Sequence, residues 1–201
     1  MNDEQWNLTE FRRDINNYEI VSNISNGGFS KIYKIIDLNT NEELVAKTIF
    51  SSKTTNLMIY REIKIMIHFQ SPTFIKFYGY SLTDFDGENN ITLFMEYVNN
   101  QSLDVLLKKE RVCSAPIEYD NSARQKILIG ISYDLMFLHQ NFVIHRDFTP
   151  ENILIDEYFC PKIIDFGLSK QWEEGHEFEQ SIVCGKLMYM APEVDERHLY
   201  G

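Results

Sequence analysis

The order of strand-like and helical patterns constrains the fold of this 201-residue chain most strongly. Three early runs, "YEIVSNI", "KIYKIIDL" and "ELVAKTIF", are rich in Ile, Val, Tyr and Phe and are separated by Asn, Gly and Thr, which is typical of strands. "NLMIYREIKIMIHF" follows with apolar residues at helical spacing, and Pro72 ends that pattern. Two more strand-like runs, "FIKFYGYSL" and "ITLFMEYV", complete this half of the chain.

The second half is mainly helical. "SLDVLLKKE" predicts a short helix with Ser102 as its N-cap. "NSARQKILIGISYDLMFLHQ" is the longest helical pattern, and its apolar content leads us to expect a mostly buried helix. The sequence therefore predicts an α+β chain in two lobes. We expect an N-terminal extension over 1–17, an N-lobe and hinge over 18–98, and a C-lobe over 99–201.

Composition narrows the classes of function. The chain is 44% hydrophobic, with 14 Phe and 11 Tyr, so it can build a sizeable core. Its formal net charge of -11 argues against nucleic-acid and membrane partners, because both are anionic. The three cysteines lack metal-like spacing, and no stretch resembles a signal peptide or a membrane span. We expect a cytoplasmic protein, with the nucleus as the alternative.

Four residues in the first half suit the binding of phosphates. Gly27 and Gly28 form a turn between two strand-like runs, where backbone N–H groups can approach a phosphate without side-chain bulk. Lys47 follows in the next strand as a fixed cation. Glu62 lies in the first helix and can hold that lysine in place through an ion pair.

Three residues in the second half suit the transfer of a phosphoryl group from ATP. Asp165 and Asn152 offer the oxygen ligands that magnesium prefers. Asp147 remains to orient an attacking hydroxyl group and to accept its proton. The combined set predicts a phosphoryl-transfer site.

Five motifs in a fixed order resemble those of eukaryotic-type protein kinases. "ISNGGFSKIY" resembles the glycine-rich loop, "LVAK" the strand lysine motif, "HRDFTPEN" the catalytic loop, "DFG" the magnesium motif and "MAPE" the end of the activation segment. The resemblance extends from about Tyr18 to about Val194. It implies a two-lobed kinase-like fold, with an antiparallel N-lobe sheet carrying one helix and a partial, mainly helical C-lobe.

The resemblance also implies an activity and its cofactors. A chain of this family transfers the γ-phosphate of ATP to a protein hydroxyl group with Mg²⁺, or Mn²⁺ as the alternative. "PEN" and "YMAPE" resemble the serine/threonine branch. Tyrosine specificity stays open, because the lysine that defines the serine/threonine branch is replaced by Thr149.

The resemblance assigns roles residue by residue. Lys47 would contact the ATP phosphates and pair with Glu62, Asp147 would be the catalytic base, and Asn152 and Asp165 would bind the metal. The nucleotide-binding set would comprise the glycine-loop residues Ile24, Ser25, Asn26, Gly27, Gly28 and Phe29, the adenine contacts Ile32, Val45 and Leu154, the gatekeeper Met95, and the hinge residues Glu96, Tyr97 and Val98. Arg146 resembles the arginine that pairs with a phosphorylated activation segment, for which Ser181 is the candidate.

Two departures from the family pattern affect the expected site. Ser25 stands at the first glycine position, where its Cβ is expected to restrict the tight turn and weaken nucleotide binding. Thr149 and Lys186 exchange the residue types that the family has at these two positions. One hypothesis is that the hydroxyl–ammonium contact is kept with its ends reversed, so that Lys186 returns a positive charge to the phosphate. The alternative is two unrelated substitutions.

A non-catalytic reading stays open beside the enzymatic one. The sequence ends soon after "APEV", whereas kinases continue through further helices, so we expect a truncated kinase or a fragment completed by another chain. The apolar face of the long helix would then be partly exposed, as a surface for a protein partner. Ser25, Thr149 and the short C-lobe favour a kinase-like binding module, whereas Lys47 and Asp147 favour an enzyme with a protein substrate.

Overall fold

The computed structural model of the chain describes residues 8–52, 54–69, 71–99, 101–171 and 185–191. These residues form two compact units. The first runs up to Tyr60 and includes Ile75–Tyr97, and the second comprises Arg61–Phe74 and the residues from Val98 onward. One boundary between the two units, between Tyr97 and Val98, thus lies at the predicted hinge, and residues 61–74 belong to the second unit.

The first unit contains an antiparallel five-stranded sheet in the order β1-β2-β3-β5-β4. The strands are β1 (Tyr18–Asn26), β2 (Ser30–Asp37), β3 (Glu43–Ile49), β4 (Phe77–Ser81) and β5 (Ile91–Glu96). All five predicted strands are confirmed. Helix α1 (Asn56–His68) matches the predicted helix and contains the boundary between the two units.

One face of this sheet carries the core of the first unit. Its buried members are Tyr18, Ile35, Leu44, Ala46 and Phe94. The rings of Tyr18 and Phe94 stack with their centroids 4.2 Å apart. The side chains of successive residues in a strand point to opposite faces of the sheet. The residues directly before and after these core residues therefore have their side chains on the other face.

The segment of residues 8–17 packs along strand β4. Arg12 forms a parallel bridge with Tyr80, and the Arg13 backbone N–H donates to the Tyr80 carbonyl at 2.8 Å. Gly79 permits this approach, because its φ is +147° and a Cβ there would collide with the Phe11 carbonyl oxygen. The sequence did not predict that the extension covers a sheet edge.

The second unit contains two further helices, α2 (Leu103–Arg111) and α3 (Asn121–Gln140). Four short strands form two ladders: β6 (Val143–Ile144) pairs with β9 (Lys170–Gln171), and β7 (Ile153–Ile155) pairs with β8 (Pro161–Ile163). Ser102 occupies the N-cap position of α2 as predicted, without a side-chain capping bond. The buried cluster between these elements comprises Leu106, Tyr119, Ala123, Ile127, Ile153 and Ile155.

Helix α3 is only partly buried, so the expectation of a mostly buried helix is wrong. Ala123, Ile127, Asp134 and Leu138 are its buried residues. Its exposed large side chains are Leu128 (63%), Ile129 (70%), Tyr133 (51%) and Met136 (48%). Apolar residues occur around the whole helix, but its buried residues lie on one side of it. Within the described ranges, no helix is long and apolar enough to span a membrane.

Candidate active site

The predicted adenine and phosphate contacts of the first unit share one face of the sheet. Ile32 lies opposite Lys47 across the β2–β3 pair, and Val45 lies opposite Met95 across the β3–β5 pair. Ala46, between Val45 and Lys47 in β3, is buried on the core face. Because directly paired residues point to the same side, the four predicted contacts form one patch opposite the core.

The glycine-rich segment is a tight turn between β1 and β2. The Gly27 N–H donates to the Ser30 carbonyl at 2.9 Å, and a Cβ at Gly28 would meet nothing within 4 Å. Ser25 lies in the extended strand before the turn, paired with Ile32. The strand accommodates the Ser25 side chain without loss of the turn.

Several loop and hinge residues predicted to contact the nucleotide are held by neighbours or lie on the surface. In the glycine-rich segment, Ile24 is 50% and Phe29 is 66% exposed. At the hinge, the Glu96 carboxylate accepts a bond from the Lys76 backbone N–H at 2.8 Å. The Lys34 Nζ lies 4.3 Å from the centre of the Tyr97 ring.

Three of the remaining predicted contacts have distinct positions. Asn26 ends β1. Val98 begins the second unit after the division at Tyr97. Leu154 lies in β7 of the second unit and forms an antiparallel bridge with Ser102.

Asp147 and Asn152 form the centre of the catalytic loop, here defined as residues 145–152. The Asn152 Nδ2 donates to the Asp147 backbone carbonyl at 2.9 Å and to its Oδ2 at 2.8 Å. Asp147 Oδ1 is buried without a hydrogen-bond partner among the described residues. One carboxylate oxygen is thus fixed, and the other is left to accept a proton or a hydrogen bond from a ligand.

His145 joins the catalytic loop to the strand before Asp165. Its Nε2 lies 3.1 Å from the Ile164 carbonyl, and its carbonyl accepts from the Ser169 hydroxyl at 3.2 Å. The ring packs 5.1 Å from the ring of Phe166, which is 1% exposed. Burial lowers the pKa of His145, so the ring is neutral near pH 7 and acts as a structural residue.

Asp165 and Glu62 lie together in the second unit beside Gly167. A Cβ at Gly167 would lie 3.4 Å from both the Asp165 Oδ1 and the Glu62 Oε2. Asp165 adopts a left-handed backbone with φ of 65°, and Glu62 is 3% exposed. Lys47 belongs to the first unit, and its pairing with Glu62 stays a prediction.

Arg146 is held by the segment that follows Asp165. Its φ is 64°, and its Nε donates to the Leu168 carbonyl at 2.6 Å. Ser181, the predicted phosphorylation site, lies outside the described residues. Its pairing with Arg146 stays a prediction.

Lys186 reaches the catalytic loop, but its ammonium contacts Glu151. The Lys186 Nζ lies 2.9 Å from the Glu151 Oε1, and the buried Thr149 hydroxyl makes no hydrogen bond with Lys186 within the part of the chain described. The pKa of Glu151 is lowered first by Lys186 and to a lesser extent by the Thr149 hydroxyl. The two segments meet as hypothesised, and a carboxylate takes the ammonium because it offers an opposite charge. Sequence reasoning missed Glu151, although it lies two residues after Thr149.

The donor set is compatible with a magnesium ion in a nucleotide complex. No group of three or more His, Cys, Asp or Glu side chains that could hold a metal occurs in the described residues. Magnesium usually takes one or two carboxylates and completes its shell with water and phosphate oxygens. Asn152 uses its Nδ2 for Asp147, which leaves its side-chain oxygen for a metal, and Asp165 would add a carboxylate.

Comparison with known proteins agrees with this geometry. The family described as "Protein kinase domain" matches residues 18–201. The SNF1-related protein kinase catalytic subunit alpha KIN12 of Arabidopsis thaliana is 33% identical over 193 residues, covering 92% of this chain and 36% of that protein. A probable LRR receptor-like serine/threonine-protein kinase of the same plant is 31% identical, covering 94% of this chain and 18% of that protein.

A third relative comes from yeast. The carbon catabolite-derepressing protein kinase of Saccharomyces cerevisiae is 29% identical, covering 92% of this chain and 28% of that protein. This chain therefore belongs to the protein kinase family. It spans well under half the length of each of these relatives, all three of which are protein kinases by name and one of which is named a serine/threonine-protein kinase.

Proposed function

We propose that this protein is an ATP- and magnesium-dependent kinase that transfers the γ-phosphate of ATP to a protein hydroxyl group. The observation that carries the proposal is the pair of hydrogen bonds from Asn152 to Asp147, which leaves Asp147 Oδ1 buried and unpartnered among the described residues. A carboxylate fixed in this way is suited to receive the proton of an acceptor hydroxyl group.

Bound ATP would supply the phosphoryl group, and the accompanying Mg²⁺ would neutralise much of the negative charge of the phosphates. Asn152 and Asp165 would hold the metal, and Lys47, kept in place by Glu62, would contact the phosphates. Ile32, Val45 and Met95, which share a sheet face with Lys47, would contact the adenine. Asp147 would orient the acceptor and take its proton as the new O–P bond forms.

Serine or threonine is the proposed acceptor residue. This choice is supported by the "PEN" and "YMAPE" motifs and by relatives named as serine/threonine protein kinases. The protein substrate, a partner for the exposed face of α3 and the cytoplasmic location stay predictions.

Nucleotide binding is the first consequence to test. A ligand that binds the folded form alone at about 100 times its Kd stabilises it by about 2.7 kcal/mol. We expect the melting temperature of the full chain to rise with Mg²⁺-ATP, and to rise less in Lys47→Met. Lys126→Met, which removes a lysine bonded to the Tyr158 carbonyl of the second unit, is the matched control. A melting temperature that does not respond to Mg²⁺-ATP would contradict the proposal.

A further inference from the structure

An ion pair connects the segment 185–191 to the catalytic loop at Glu151. The Lys186 Nζ and the Glu151 Oε1 are 2.9 Å apart, and their side chains are 50% and 38% exposed. Exposed pairs of this kind contribute little to stability. The pair is therefore better explained by its location than by its effect on folding.

That location is beside Asp147. A Cβ on Gly185, the residue before Lys186, would lie 2.5 Å from the Arg146 carbonyl oxygen and 3.7 Å from the Asp147 Oδ1. Asp147, Thr149 and Lys186 also line one small cavity. The pKa of Lys186 is raised first by its bond to Glu151, and the negative charge of Asp147 adds to the increase. The ammonium group thus lies in the electrostatic field of the carboxylate that the proposed function makes the base.

The catalytic loop itself cannot supply a positive charge such as that of the Lys186 ammonium group beside Asp147. Arg146 is the one lysine or arginine in residues 145–152, and its Nε donates to the Leu168 carbonyl. Asp147 and Glu151 both add negative charge to the loop. Position 149 is 1% exposed and filled by a threonine, so it has no room for a long cationic side chain. A cation on the Asp147 side of the transferring phosphoryl group, in addition to Mg²⁺ and Lys47, therefore has to come from another segment.

We propose that Lys186 is that cation, and that Glu151 is the positioning residue that holds it beside Asp147. The inference rests on the proposed kinase function. In the reaction, the O–H bond of the acceptor breaks, its proton passes to Asp147, and its oxygen bonds to the γ-phosphorus of ATP. The bond from that phosphorus to the β–γ bridging oxygen breaks, and ADP leaves with the electron pair. Lys186 donates a hydrogen bond to the phosphoryl oxygens during this exchange.

A double-mutant cycle on the full chain tests the two roles together. Lys186→Met is expected to lower kcat by about 10- to 100-fold with little change in KM for ATP, because the lysine acts on the transition state. Glu151→Gln is expected to lower kcat by a smaller factor, roughly 3- to 10-fold. If Glu151 acts through Lys186, the double variant is no slower than Lys186→Met alone. Lys186→Arg keeps the charge and is expected to retain most of the activity, while Lys126→Met is the control for loss of a surface lysine.

A binding measurement separates a role in the transition state from a role in folding. The complex of ADP, Mg²⁺ and aluminium fluoride mimics the transferring phosphoryl group. Its affinity for Lys186→Met is expected to fall by about the same factor as kcat, whereas affinity for ADP and Mg²⁺ stays unchanged. The melting temperatures of the wild type and the variants are expected to agree.

The outcomes distinguish this inference from the proposed function. One outcome would be that the wild type transfers phosphate, that Asp147→Asn abolishes the transfer, and that Lys186→Met is as fast as the wild type. In that case the inference is overturned and the kinase function stands. If Glu151→Gln lowers kcat by the same factor in the wild type and in Lys186→Met, the positioning role of Glu151 is overturned. If the wild type shows no phosphate transfer that depends on Asp147, both the inference on Lys186 and the proposed kinase function are overturned.

Discussion

At the scale of single residues, Asp134 is a fully buried carboxylate that the proposed chemistry does not use. It is 0% exposed in α3, its Oδ1 accepts a bond from the Thr73 hydroxyl, and its Oδ2 is buried without a hydrogen-bond partner in the described part of the chain. Burial raises its pKa to about 6, and the Thr73 bond and the charge of Lys162 oppose the rise. The folded protein therefore binds this proton more tightly than the unfolded chain does.

The raised pKa predicts how the free energy of unfolding depends on pH. A group with a raised folded-state pKa contributes stability below its unfolded pKa, and loses that contribution as pH rises through the folded value. Ionisation of Asp134 should thus lower the free energy of unfolding by up to about 3 kcal/mol as the pH rises from roughly 4 to 6. Urea unfolding at several pH values should show this decline in the wild type and a flatter curve in Asp134→Asn. Glu157→Gln, an exposed control, should keep the wild-type curve; equal slopes for all three proteins would contradict the prediction.

The residues of the site were predictable where a motif fixes both type and spacing. Asp147 and Asn152 are five positions apart in one loop, and the structure joins them directly. Glu151 was missed because its partner Lys186 lies far along the chain, and the sequence carries no local signal for their contact. Thr149 and Lys186 were recognised as an exchanged pair, but the sequence could not show that a carboxylate competes for the ammonium group.

At the scale of elements, Gly79 allows the N-terminal segment to cover strand β4. Gly79→Ala combines a strained φ with a collision against Phe11, so we expect a loss of about 2 kcal/mol or more in the free energy of unfolding. Gly87 is the matched control, because its φ is +79° but a Cβ there meets nothing within 4 Å. Gly87→Ala should lose less, about 1 kcal/mol. Equal losses measured by urea unfolding would show that the packing of residues 8–17 on β4 does not constrain position 79.

Helix α3 allows a comparison of two nearby isoleucines of opposite environment. Ile127 is 3% exposed in the core of the second unit, and Ile129 is 70% exposed. Ile127→Ala should lower the free energy of unfolding by about 2–4 kcal/mol, whereas Ile129→Ala should change it by less than about 0.5 kcal/mol. Urea unfolding of both variants is the test. A loss at Ile129 similar to that at Ile127 would show that the exposed face is covered in solution.

The elements that the sequence predicted well are those with strong local signals. The apolar run "ELVAKTIF" for β3 and the helical spacing in α1 each identified an element within about one residue of its ends. The two-residue strands β6 and β9 were missed, because their pairing joins distant segments and two residues carry no period. Burial of α3 was overestimated because periodicity cannot show which apolar faces have a packing partner.

At the scale of the whole molecule, the order of motifs predicted a two-lobed kinase-like fold, and the family match over residues 18–201 confirms the family. Two compact units are present, with one division between Tyr97 and Val98. The chain matches kinases at about 30% identity, and it covers 36% of KIN12. Family membership makes the site residues of each unit a prediction, and the activity of this chain is a matter for experiment.

Phosphate transfer from radiolabelled ATP to a general protein substrate with Mg²⁺ tests the central proposal most directly. We expect transfer by the wild-type chain and none above background by Asp147→Asn. Transfer by Asp156→Asn should be near normal, because the Asp156 carboxylate accepts from the backbone N–H groups of Tyr158 and Cys160 away from the site. Removal of Mg²⁺ with a chelator should also stop the transfer. If the wild type and Asp147→Asn label the substrate equally, or if neither labels it while both remain folded, the proposed kinase function is contradicted.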